Sequence, residues 1–195
     1  MKKGSDVIEV KVIIDSLQFL EKQLPGAIYK WKEDIKTCNI LANADLKIIC
    51  ENPTTLSTEI FPPLYSFLNT YIANREGRLA FTAKSLDTFL LQGLRAIKKF
   101  TVLTEFFSKN TQYFVPNIPI FQGGLEASKK AINEQNQYKD FILTLSERLV
   151  GCKEQLNFMF LKLLSTVKNM VPEMHNMKGY LEDQCRLMRI QRLNM

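Results

Sequence analysis

Residues Leu125 to Met170 read LEASKKAINEQNQYKDFILTLSERLVGCKEQLNFMFLKLLSTVKNM. Ile142, Leu149, Leu156, Leu163 and Met170 fall seven residues apart, and Met177 continues the row. Tyr138, Leu145, Cys152, Met159 and Thr166 form a second row, each four residues before a member of the first. Alternating steps of three and four put one apolar stripe along one side of an α-helix. No Pro lies between Gly124 and Val171, and Gly151 is the one interior Gly. A helix of about 45 residues at 1.5 Å per residue is roughly 70 Å long, far above the usual length. Its stripe needs cover, and the rest of the chain supplies it.

Three further stretches carry such stripes. Over Ser5 to Leu24, Val10, Ile13, Leu17, Leu20 and Leu24 step by 3, 4, 3, 4, with Ser5 or Asp6 as N-cap. Ile14 and Phe19 widen this stripe, and Pro25-Gly26 stops or kinks the helix. Ala27 to Glu51 reads as a second helix with Ile28, Trp31, Ile35 and Cys38 inward. The first two helices form a hairpin or one kinked rod, a choice that spacing leaves open. Asn52-Pro53 closes this unit, and the linker to Pro63 carries Leu56, Ile60 and Phe61, so it lies against the bundle.

A third helix is expected over 63–109, opening at Pro63. Ile72, Leu79, Leu86, Gly93, Phe100 and Phe107 lie seven apart, and Leu68, Ala83, Leu90 and Ile97 complete the seam. The polar run Asn74 to Arg78 contains Gly77 and allows a local bend; Gly93 lets a neighbouring helix or a large aromatic come close. The fourth helix covers 124–193 with a kink at Pro172. The expected fold is thus a single all-α domain, an elongated antiparallel bundle of three to four long, kinked helices with coiled-coil-like seams, its rods matched in length.

The totals exclude several classes. The chain has 195 residues and is 46% hydrophobic, too apolar for a disordered protein. No apolar run reaches the ~18 residues of a membrane span. Asp6, Glu9, Lys11 and Asp15 interrupt the start, which is not a secretory signal. Cys38, Cys50, Cys152 and Cys185 read as reduced, buried thiols in a reducing, cytoplasmic compartment, with peripheral membrane attachment open. The formal net charge of +6 admits an acidic partner, an anionic lipid or nucleic acid.

Chemistry is sparse. His175 is the one His and has no nucleophile nearby in sequence; the Cys spacings match no zinc pattern. Gly123-Gly124 before a helix start reads as a turn rather than an anion site. Glu134, Asp140, Glu147 and Glu154 alternate with Lys130, Lys139, Arg148 and Lys153 on a solvated face. No enzymatic activity, cofactor or metal is expected.

Surfaces are the remaining signal. The segment Thr111 to Gly124 packs Tyr113, Phe114, Val115, Ile118, Ile120 and Phe121 into a loop, which plugs the bundle end, anchors a partner or dips into a membrane. Phe114, Ile118 and Phe121, with Met174, Met177, Leu181 and Met188 late in the chain, are the expected partner-binding residues. Arg95, Lys98 and Lys99 share one side of the third helix, and Arg186, Arg189 and Arg192 end the chain. These six are the expected anion-binding residues. The leading expectation is a non-enzymatic scaffold that assembles proteins, as a homodimer or a hetero-complex. In general plan (kinked helices of matched length, basic balance, greasy tip) the chain resembles the dimeric membrane-curving helical modules of the BAR type, which implies a surface for anionic lipid. Nucleic-acid binding is the third and weakest reading.

Overall fold

The computed structural model describes residues 3–30, 52–109, 125–170 and 182–188. Every regular element among them is helical. Four are long: α1 (Lys3–Lys30), α2 (Phe61–Arg75), α3 (Ala83–Lys109) and α4 (Leu125–Met170). Residues 182–188 add a short helix, α5.

The seam of α4 is buried as its heptads require. Ile142, Leu145, Leu149, Cys152, Leu156, Met159 and Leu163 lie in the core, and Phe160, Leu164 and Val167 widen the stripe. Thr166, at the polar end of one row, is exposed. In α1 the stripe Val10, Ile13, Leu17, Leu20 and Leu24 is buried too. That helix does not stop at Pro25 but runs on to Lys30, burying Ala27 and Ile28. The expected second helix beyond residue 30, with Trp31 and Cys38, lies outside the described residues.

The stretch expected as one helix over 63–109 is two helices folded against each other. After Arg75 the chain turns at Gly77, whose φ of +77° is the left-handed conformation that glycine adopts without strain. The Arg78 N–H donates to the Ala73 carbonyl (2.8 Å) and the Gly77 N–H to that of Asn74 (3.1 Å). This pair of bonds is a Schellman cap, which satisfies the last carbonyls of α2. Four residues later Thr82 caps α3. Its hydroxyl accepts the Ser85 N–H (3.1 Å), and the Ser85 hydroxyl accepts the Thr82 N–H (2.8 Å), a reciprocal capping box. Leu79, expected in a continuous seam, lies in the connection and is 39% exposed. The other large apolar residues of that seam are buried, Leu68 and Ile72 on α2 and Leu86, Leu90, Ile97, Phe100 and Phe107 on α3. The helices therefore measure 28, 15, 27 and 46 residues, not rods of matched length.

The expected linker before Pro63 is also helical. Leu56–Ile60 is a π-helical turn that runs straight into α2. Pro62 and Pro63 suit the first turn of α2, where an N–H has no partner within the helix, but they have none to donate to the carbonyls of the turn before it. The Phe61 N–H reaches five back instead, to the Leu56 carbonyl. Leu56, Ile60 and Phe61 are buried, as their position against the bundle requires.

Cross-helix pairs give the topology. Asp6 meets Arg75 at 3.0 Å and the Tyr65 hydroxyl donates to Glu21 at 2.6 Å, so α1 and α2 are antiparallel. Phe61 meets Phe100 edge-on at 6.1 Å and Phe67 stacks on Phe89 at 4.7 Å, so α2 and α3 are antiparallel. Glu9 faces Lys162 at 3.6 Å and Phe19 lies 4.1 Å beneath the Arg148 guanidinium, so α4 runs against α1. The principal contacts join α1 to α2, α2 to α3, α3 to α4 and α4 to α1, which closes a ring. The fold is an all-α, up-down-up-down four-helix bundle. Phe67 on α2 reaches across it to Phe160 on α4, 6.0 Å away.

Candidate docking groove between the two hairpin helices

Folding 63–109 into a hairpin creates a groove of about 880 Å³ between α2 and α3. Its floor is aromatic. Phe67 stacks on Phe89, and Phe81 from the connection lies 4.9 Å from Phe89. Phe67 can sit this low because Gly93 opposite it has no side chain; a Cβ there would overlap the ring. Pro63, Ser66 and Thr70 form the α2 wall, and Lys84, Thr88, Gln92, Arg95 and Lys99 form the α3 wall. The α3 positions step by 4, 4, 3 and 4, one straight stripe along the helix.

The charge on these walls has one sign. Lys84, Arg95 and Lys99 are exposed, and among the described residues no carboxylate lines the groove. Among the described residues no ion pair involves any of the three. Elsewhere Glu76 pairs with Arg78 (2.7 Å), Asp6 with Arg75 and Glu9 with Lys162, while Asp87 on α3 keeps one buried carboxylate oxygen without a hydrogen-bond partner among the described residues.

Of the residues expected to bind anions, Arg95 and Lys99 meet in this groove, while Lys98 is exposed beside it. Arg186 is elsewhere, exposed on α5 and 3.6 Å from Asp183. Arg189 and Arg192 lie outside the described residues, as do Phe114, Ile118, Phe121, Met174, Met177 and Leu181. Met188 is half-buried and lines a small cavity of about 60 Å³ with Cys185, Leu94, Ile97 and Asn157, where α5 sits over α3 and α4. The groove's other members, Lys84, Phe81, Phe89 and Thr88, were not singled out from the sequence. Their signals were present: Gly77 as a helix stop, and Thr82-x-x-Ser85 as a helix start.

Elsewhere the described surface shows exposed Ile8 and Val12 on α1 and Phe158 on α4, the last 63% exposed under Lys162. Among the described residues no helix is long and apolar enough to cross a membrane. Among them, too, no three His, Cys, Asp or Glu side chains are placed to hold a metal ion. Cys152 and Cys185 are buried free thiols, and burial pushes the Cys152 thiol up from its ordinary value of 9.0 to about 12. Burial, reinforced by the bond to Glu21, also raises the Tyr65 hydroxyl well above its usual range. Comparison of the chain with protein families, with curated proteins and with solved structures finds no match.

Proposed function

We propose that this chain is a non-enzymatic interaction module that docks a segment of a partner protein in the α2–α3 groove. One observation carries the reading: an open groove in which Phe81 and Leu79 lie over the buried Phe67–Phe89 stack. Phe67 and Phe89 are themselves buried, so the open apolar surface is that of half-buried Phe81 and of Leu79, 39% exposed. Such surface in a concave site gains by being covered, and a volume of this size admits a few anchoring side chains of a partner. The test is a peptide-display selection against the whole chain, counter-screened with Thr88→Trp, which fills the groove from an exposed helical position. Peptides that bind the natural chain and lose Thr88→Trp by tenfold or more are expected, about 1.4 kcal/mol. Selected peptides indifferent to the filled groove would remove the reading.

A second reading, attachment to an anionic membrane surface, is supported by Arg95, Lys98 and Lys99, exposed side by side on α3 without a described carboxylate partner. Its sign is salt-sensitive sedimentation with phosphatidylserine vesicles that Arg95→Glu/Lys98→Glu/Lys99→Glu abolishes.

A further inference from the structure

Lys84 stands near the first turn of α3, and Arg95 and Lys99 stand eleven and fifteen residues further on. At 1.5 Å per residue they are about 16 and 22 Å from Lys84 along the groove. Thr88 and Gln92 between them are uncharged; the buried Phe67–Phe89 stack lies beneath that neutral middle, and Phe81 and Leu79 supply the open apolar surface. The opposite wall, Pro63, Ser66 and Thr70, carries no charge. Among the described residues the groove is thus positive at both ends, uncharged in the centre and lined by no negative group. Resting on the docking reading above, we infer that its occupant is an acidic amphipathic helix. Such a helix carries carboxylates about eleven residues apart and large apolar side chains between them, three turns matching three turns.

Charge complementarity decides the sign. A basic or neutral helix would leave three cations without partners at the rim, and a basic one would add repulsion at both ends. Concavity decides between a protein and a membrane. A bilayer surface presents headgroups to a convex or flat cationic face, whereas Phe81 and Leu79 line a concave groove between two helices, a shape suited to side chains inserted one by one. The net charge of +6 steers an acidic partner to the molecule before docking.

The experiment titrates the full chain with three fluorescein-labelled helical peptides that share one Leu/Phe centre and differ at their ends, Glu, Gln or Lys. The Glu peptide is expected to bind at least about tenfold tighter than the Gln peptide, the Lys peptide weakest, with the preference shrinking in high salt. Arg95→Glu/Lys99→Glu should reverse the order of the Glu and Lys peptides without changing helicity, because both positions are exposed. Equal binding of the three peptides, or binding of none, overturns the inference. A Gln peptide that binds as well as the Glu peptide and is blocked by Thr88→Trp would remove the charge requirement while leaving the docking reading in place. Glu-peptide binding unchanged by Thr88→Trp would remove both. Phosphatidylserine vesicles that displace the peptide, bind through Arg95 and Lys99 and ignore Thr88→Trp would assign these cations to a membrane and overturn the inference as well.

Discussion

Gly93 and Phe67 show how one absent side chain shapes a surface. Phe67 is held between Phe89 at 4.7 Å and Phe160 at 6.0 Å, so its ring has nowhere to retreat when a methyl group appears at Gly93. Helix propensity favours Ala over Gly by about 1 kcal/mol, but overpacking a full core costs about 1–3 kcal/mol. Gly93→Ala is expected to lower the unfolding free energy by up to about 2 kcal/mol in urea titrations. Phe67→Leu should relieve much of that loss in the double variant, since the two residues touch. Additive losses would mean that the ring is not what Gly93 accommodates. Cys152 is a second residue whose surroundings fix its behaviour. With its thiol raised to about 12 and its side chain in the core, it holds almost no thiolate near pH 8. Peptide-level mass spectrometry should find it unlabelled by iodoacetamide in the native chain and labelled in urea.

At the level of elements, the hairpin of α2 and α3 depends on its caps. Gly77 stands at a φ of +77°, where any residue with a Cβ is strained by about 1–2 kcal/mol. Nothing lies within 4 Å of its virtual Cβ, so backbone strain is the sole cost of Gly77→Ala. Thr82→Ala removes one half of the capping box and should cost about 1 kcal/mol. Both variants are expected to lower the thermal midpoint by a few degrees without loss of helical signal. A variant of either kind that shifts nothing would mean that packing alone holds the turn. The π-turn at Leu56–Ile60 has a comparable local origin, in two successive prolines that cannot donate to the turn before them.

For the molecule as a whole, burial couples folding to pH. Tyr65, Tyr71 and Cys152 are all raised, with burial as the first cause in each. Above about pH 9 the unfolded chain begins to lose the Cys152 proton while the folded chain keeps it to about 12. The stabilisation is therefore complete below pH 9 and falls as pH rises through that window. Cys152 contributes up to about 1.4 kcal/mol per pH unit there. Urea midpoints should decline from pH 9 to 11, less steeply in Cys152→Ala, and a flat profile would contradict this burial. The helical fold itself was legible in one dimension. Heptad rows such as Ile142-Leu149-Leu156-Leu163 name the buried face because a helix repeats its direction every 3.6 residues whatever it packs against. Rows on separate helices can share one phase, however, which is why Ile72, Leu79 and Leu86 lie seven apart although they belong to two helices and their connection. Whether a seven-residue phase continues or folds back depends on cap bonds at Gly77 and Thr82 and on what Phe67 gains against Gly93. The identity of the helices was thus local information, while the groove that gathers Lys84, Arg95 and Lys99 over Phe89 came from long-range packing, because no spacing along the chain records which two faces will meet.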